Sequence, residues 1–119
     1  MNLQMIASLF TLFSGEENQE KYLPLLTTAV QEVQSQLVSG ADGSAVRLCY
    51  LAAAIANLRY TQIYGARDKA LATYAGTIAY QTNAEQQLRF AMHLVQCYRA
   101  LCRDLLRDGE FVFVGIRGH

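Results

Sequence analysis

The segment from Leu48 to Ala56 constrains the fold of this chain more than any other, because all nine of its residues are apolar. A helix built from this segment has apolar side chains on nearly every side, so other protein elements must surround it. The segment is also too short to cross a bilayer, since a spanning helix needs about 20 apolar residues. Its alanines let neighbouring helices approach closely. The segment therefore predicts the central helix of a helical bundle.

Two helices are predicted before this central helix. Apolar residues three and four positions apart indicate a helix over residues 2–13, and Ser14 and Gly15 offer its end, since glycine accepts the left-handed conformation that ends helices. A second helix begins near Leu23, because Pro24 is tolerated in a first turn but not further in. The loop over residues 39–44 then leads to the central helix.

The central helix and one more helix complete the predicted bundle. Either Asp42 or Ser44 caps the central helix, which we expect to end at Gly65. Asn83 is expected to cap a long last helix that ends near residue 106, with Gln86 three positions on as in a capping box. The single proline and the lack of low-complexity sequence favour one domain over residues 1–119.

Two segments are predicted to be extended. Residues 71–80 mix β-branched and aromatic residues around Gly76, which favours a strand or an irregular hairpin. A continuous helix is the competing interpretation, because alanine is frequent there. Residues 110–116 read as a C-terminal strand that needs a partner, either the segment 71–80 or a strand of a neighbouring molecule. The expected fold is thus mainly α, a small bundle of about four helices with a short extended segment near 71–80 and a C-terminal strand.

The composition limits the partners of the chain. Ten basic and ten acidic residues cancel, so the excess positive charge that drives nucleic-acid binding is absent. Only 17% of the residues are charged, which predicts that some apolar surface is buried against another protein or against copies of the chain. The three cysteines lack CxxC spacing and favour reduced thiols in the cytosol. We predict no membrane span and no signal peptide.

No catalytic, cofactor or metal site is predicted. His93 and Cys97 are four residues apart on a helix, but a zinc site needs about four ligands and no matching pair accompanies them. Cys49 lies inside the most apolar stretch, where a thiol acts as a small hydrophobic group. Asp104 and Asp108 alternate with arginines, which is typical of a solvated, ion-paired helix face. The sequence therefore predicts a protein that is not an enzyme.

The arginines at positions 99, 103 and 107 form a line at four-residue spacing. These cations favour the C-terminus of a helix and solvate its outer face. A second interpretation is an interface that meets acidic groups, such as those at positions 16, 17 and 20, on another subunit.

From about Glu16 onward, the order of elements carries a resemblance. The segments are, in order, GEENQEKYLPLLTTAVQEVQSQL, RLCYLAAAIANLRYTQIY, LATYAGTIAYQTN, EQQLRFAMHLVQCYRALCRDLL and EFVFVGI. An acidic entry to a tyrosine-containing helix precedes an alanine-rich central helix, a short glycine-bearing extended segment and a long last helix. In this order the chain resembles the small helical head–tail connector (head completion) proteins of tailed bacteriophages and prophages.

The resemblance implies a structural virion protein that assembles into a homo-oligomeric ring and joins the phage portal to tail-side proteins. It would reside in the bacterial cytoplasm during assembly and then in the neck of the virion. It implies no functional residue, so the expected interface residues come from the sequence alone: Tyr74, Ile78, Arg103, Arg107, Phe111 and Phe113. A small cytosolic helical adaptor or regulatory module fits the same composition and is the alternative.

Overall fold

The computed structural model describes the backbone of residues 1–75 and 78–107 and the side chains of residues 1–64 and 85–107. Within these ranges the chain forms four α-helices and a short 3-10 helix. They are α1 (Leu3–Ser14), α2 (Leu23–Ser35), α3 (Val46–Ala75), α4 (Ile78–Leu101) and η1 (Arg103–Leu105). The predicted class, a small helical bundle, is confirmed.

The two helices that precede the centre begin and end close to their predicted positions. The side chain of Asn2 accepts a hydrogen bond from the backbone N–H of Met5 and caps α1 at its start. Gly15 ends α1 with φ of 81°, and its N–H donates to the carbonyl of Thr11 at 2.8 Å. This left-handed conformation is one that glycine adopts without strain. α2 begins at Leu23 with Pro24 in its first turn, as predicted.

The helix α3 is the centre of the bundle and packs against α1, α2 and α4. Its residues 51–56 and Leu58 are completely buried, so the predicted central helix is confirmed. The buried residues of the other helices face it: Ile6 and Phe10 of α1, Leu26 and Val33 of α2, and Ala91 and Val95 of α4. Burying one such Leu or Ile side chain contributes about 1.5–3 kcal/mol. The apolar run of α3 therefore organises the core.

The prediction of an extended segment at 71–80 is wrong for the residues that the structure describes. Residues 71–75 form the last turn of α3, and residues 78–80 begin α4. Alanine is the strongest helix former, and a glycine inside a helix costs only about 1 kcal/mol. The alanines at 70, 72 and 75 thus outweigh both the β-branched neighbours and Gly65, which does not end α3.

The predicted caps of the last two helices are also wrong. α3 begins at Val46, beyond both Asp42 and Ser44. The carboxylate of Asp42 instead accepts hydrogen bonds from the backbone and the hydroxyl of Ser44, which closes a turn before the helix. α4 begins at Ile78, five residues before Asn83, because the alanine-containing segment continues as a helix.

The end of the described chain is attached to the loop that follows α2. α4 stops at Leu101, short of the predicted 106, and η1 follows it. Leu106 then forms an antiparallel β-bridge with Leu37, flanked by hydrogen bonds from Val38 N to Leu105 O and from Arg107 N to Gln36 O. The predicted C-terminal strand at 110–116 lies outside the described residues.

Candidate functional site

The outer face of α4 carries large apolar side chains that no described element covers. Phe90, His93, Cys97 and Leu101 recur at helical spacing and are all exposed, Phe90 by 56% and Leu101 by 58%. Ala91 and Val95, on the opposite face, are completely buried. We call the four exposed residues the α4 outer stripe. An exposed apolar row of this kind is typical of a protein-contact surface.

His93 and Cys97 touch within the α4 outer stripe. The Nε2 atom of His93 lies 3.5 Å from the Sγ atom of Cys97, the contact that their spacing allows. In the part of the chain that the structure describes, no three His, Cys, Asp or Glu side chains cluster as metal ligands. Cys49 is 2% exposed, which agrees with the prediction of a thiol packed as a hydrophobic group. Burial also raises the pKa of the Cys102 thiol.

An arginine that the sequence did not single out ties α4 to α3. Arg47, in the first turn of α3, donates to both carboxylate oxygens of Asp104 at 2.6 and 2.8 Å. It also donates to the carbonyl of Leu101 at 2.6 Å, where α4 ends. The hydrogen bond from Arg47 lowers the pKa of Asp104. The partner of Asp104 therefore lies 57 residues away, on another helix.

The residues predicted to form an interface do not come together in one patch. Tyr74 is in the last turn of α3 and Ile78 begins α4, whereas Arg103 follows the opposite end of α4. The length of α4 separates these two ends by about 35 Å at 1.5 Å per residue. Arg103 is exposed, and Arg107 donates to the carbonyl of Ser35. The side chains of Tyr74 and Ile78, and all of Phe111 and Phe113, lie outside the described residues.

The three acidic residues that are candidate partners of the arginine line differ in their surroundings. Glu17 and Glu20 are exposed. The carboxylate of Glu16 instead accepts a hydrogen bond from the hydroxyl of Tyr60 at 2.6 Å, which links the loop after α1 to α3. Glu16 is thus engaged within the chain.

Four aromatic rings, from Phe10, Tyr22, Tyr60 and Tyr64, pack with their centroids 5.0 to 5.7 Å apart. Three of these pairs are edge-to-face, and such pairs contribute about 0.5–1.5 kcal/mol beyond their buried area. They bring together the start of α2 and the end of α1 against the middle of α3.

A cavity of about 300 Å³ lies beside these rings, where α1, α3 and α4 meet. Its aromatic walls include Phe13 of α1 and Phe90 of α4, in addition to Tyr60 and Tyr64. Asn57 of α3 also lines it, and this residue is only 3% exposed. The sequence analysis did not predict this site. The feature that could have indicated it is Asn57, a polar amide directly after the apolar run 48–56.

Comparison of the chain with protein-family models, with curated proteins and with solved structures finds no match. Among the described helices, none has the length and apolar character needed to cross a bilayer.

Proposed function

We propose that this chain works by assembly with other protein subunits and that the α4 outer stripe is its contact surface. The carrying observation is the exposure of Phe90, Cys97 and Leu101 on one face of a helix whose other face is buried in the core. Interface cores are enriched in aromatic residues and poor in charge. Exposed apolar side chains gain about 25 cal/mol per Å² when a partner covers them.

The specific form of the proposal is a head–tail connector, or head completion protein, of a tailed phage or prophage. Copies of the chain form a ring and join the portal to tail-side proteins. The support is the resemblance in the order of the helices, with an alanine-rich central helix. The extended segment of that resemblance is helical in the described residues and lends no support. A ring requires a heterologous contact, in which the stripe of one copy meets a different surface of the next.

The direct test is binding to the portal protein of the same phage or prophage, measured by sedimentation velocity with the purified chain. Leu101→Glu places a charge at the C-terminal end of the α4 outer stripe and should weaken portal binding or ring formation at least about tenfold, or 1.4 kcal/mol. Leu12→Glu is the matched control, since Leu12 is 73% exposed but lies on α1. Equal behaviour of the two variants would rule out the stripe as the interface.

The genomic neighbourhood gives a second, independent test. Genes for portal, capsid and tail proteins beside this one are expected if the chain is a connector. A gene surrounded by unrelated functions, together with no portal binding, would overturn the connector assignment.

The alternative is a cytosolic helical adaptor that uses the same stripe. An adaptor is expected to remain a monomer or dimer at all concentrations and to retain a host protein on affinity capture. Leu101→Glu would then release that protein, whereas Leu12→Glu would not.

A further inference from the structure

Asn57 is a polar residue with little exposure, and its side-chain amide faces a cavity. Asn57 is 3% exposed and lies between Ala56 and Leu58, which are completely buried. No hydrogen bond joins its amide group to any residue in the described part of the chain. Among the described residues, every side-chain N and O atom that is fully enclosed has a hydrogen-bond partner. The amide atoms of Asn57 have none, so they are not fully enclosed, and their small exposed area faces the cavity that Asn57 lines.

Three of the hydroxyl groups around this cavity already donate hydrogen bonds within the chain. Ser14 donates to the carbonyl of Phe10 at 2.7 Å, and Thr61 donates to the backbone carbonyl of Asn57 at 2.8 Å. The Tyr60 hydroxyl donates to Glu16. The Asn57 amide is therefore the buried polar group that is open to a ligand, and it offers both a donor and an acceptor.

The cavity walls specify the rest of the ligand. Rings of Phe13, Tyr64 and Phe90 line it and favour a flat ring by stacking or edge contacts. The polar side chains of Ser14, Thr61 and Gln87 line the remaining wall, so the ligand carries polar groups as well. None of the described lining residues carries a charge, so an ionised ligand would lose its hydration without compensation. The volume of about 300 Å³ is at the lower end of ligand pockets and fits a single ring with one substituent.

We propose that the cavity binds a small, planar, uncharged molecule with a hydrogen-bond donor and an acceptor side by side. Aromatic carboxamides and the edges of nucleobases have this chemistry. The Asn57 amide forms the paired hydrogen bonds, and the aromatic walls hold the ring. Asn57 lies within the bundle and not on the α4 outer stripe, whereas the Phe90 wall of the cavity belongs to that stripe.

The test is an NMR titration of the full chain with benzamide, and with benzoate as its charged counterpart. Benzamide has about nine non-hydrogen atoms, and at about 0.45 kcal/mol per atom the expected Kd is on the order of 1 mM. Benzamide should shift the side-chain amide resonances of Asn57 saturably, and benzoate should bind at least about tenfold more weakly because its charge would be desolvated.

Asn57→Leu should weaken benzamide binding at least about tenfold, while Leu101→Glu should leave it unchanged. Equal binding of benzamide and benzoate would overturn the proposal, as would unchanged benzamide binding in Asn57→Leu. Absence of a saturable shift at the Asn57 side chain in the unmodified protein would also overturn it. That last measurement needs no variant, so it stands even if Asn57→Leu does not fold.

Discussion

Replacing Asn57 with leucine is expected to stabilise the protein, although the residue lies in the bundle centre. Leucine is a better helix former than asparagine by a few tenths of a kcal/mol. Asn57 is 3% exposed and its amide, which faces the cavity, makes no hydrogen bond within the described structure, so an apolar side chain of similar size gains about 1 kcal/mol there. Together these terms raise the free energy of unfolding by about 1–1.5 kcal/mol.

Thermal unfolding followed by circular dichroism measures this change. At about 2.1 cal/mol/K per residue, a domain of this length shifts its Tm by roughly 4 °C for each kcal/mol, so Asn57→Leu should raise the Tm by about 4–6 °C. Asn57→Ala is the matched control, because it gains helix propensity but leaves the cavity larger. A Tm of Asn57→Leu that falls by several degrees would show that the amide holds the fold together, and the reasoning would fail.

Three further substitutions test the packing and the charges. Gly15→Ala should lower the free energy of unfolding, measured in urea, by about 1 kcal/mol. The loss comes from backbone strain alone, because φ is +81° and a Cβ at this position meets no atom within 4 Å. Ala53→Leu should cost about 1–3 kcal/mol by overpacking, whereas Ala100→Leu on the exposed face of α4 should change little. Burial raises the pKa of Glu32 despite its salt bridge to Arg59, so the unmodified protein loses stability as the pH rises and Glu32 ionises. Glu32→Gln lacks this loss, so its stability relative to the unmodified protein should increase between pH 4 and pH 7 in urea unfolding. A relative stability that decreases over this range would contradict the sign.

The parts of the fold that could be predicted from sequence are those in which one local signal dominates. The apolar run of α3 can be stable only when it is buried on all sides, and the structure confirms this burial. Gly15 and Pro24 fix helix ends because their backbone restrictions are local. At residues 71–80 the local signals conflicted, and alanine content outweighed β-branched content there.

The contacts that sequence reasoning missed are those between distant segments. The pairing of Arg47 with Asp104 depends on where α4 ends relative to the start of α3, and no spacing rule reports it. The same holds for Tyr60 with Glu16 and for the cavity at Asn57, which needs three helices in place. The α4 outer stripe cannot be read from the sequence, because apolar residues occur on several sides of α4 and only packing distinguishes its buried from its exposed side.

Phe90 belongs to both proposed surfaces, and this gives a way to separate them. Its ring lines the cavity, yet 56% of the residue is exposed on the α4 outer stripe. Phe90→Ala should therefore weaken both benzamide binding and subunit or portal binding, with little loss of stability because the ring is mostly outside the core. Asn57→Leu should affect benzamide alone, and Leu101→Glu should affect assembly alone. If benzamide changes the affinity for the partner through the shared ring, the partner must change the affinity for benzamide by the same factor. A partner affinity that does not change when benzamide is bound would show that the ring does not couple the two sites.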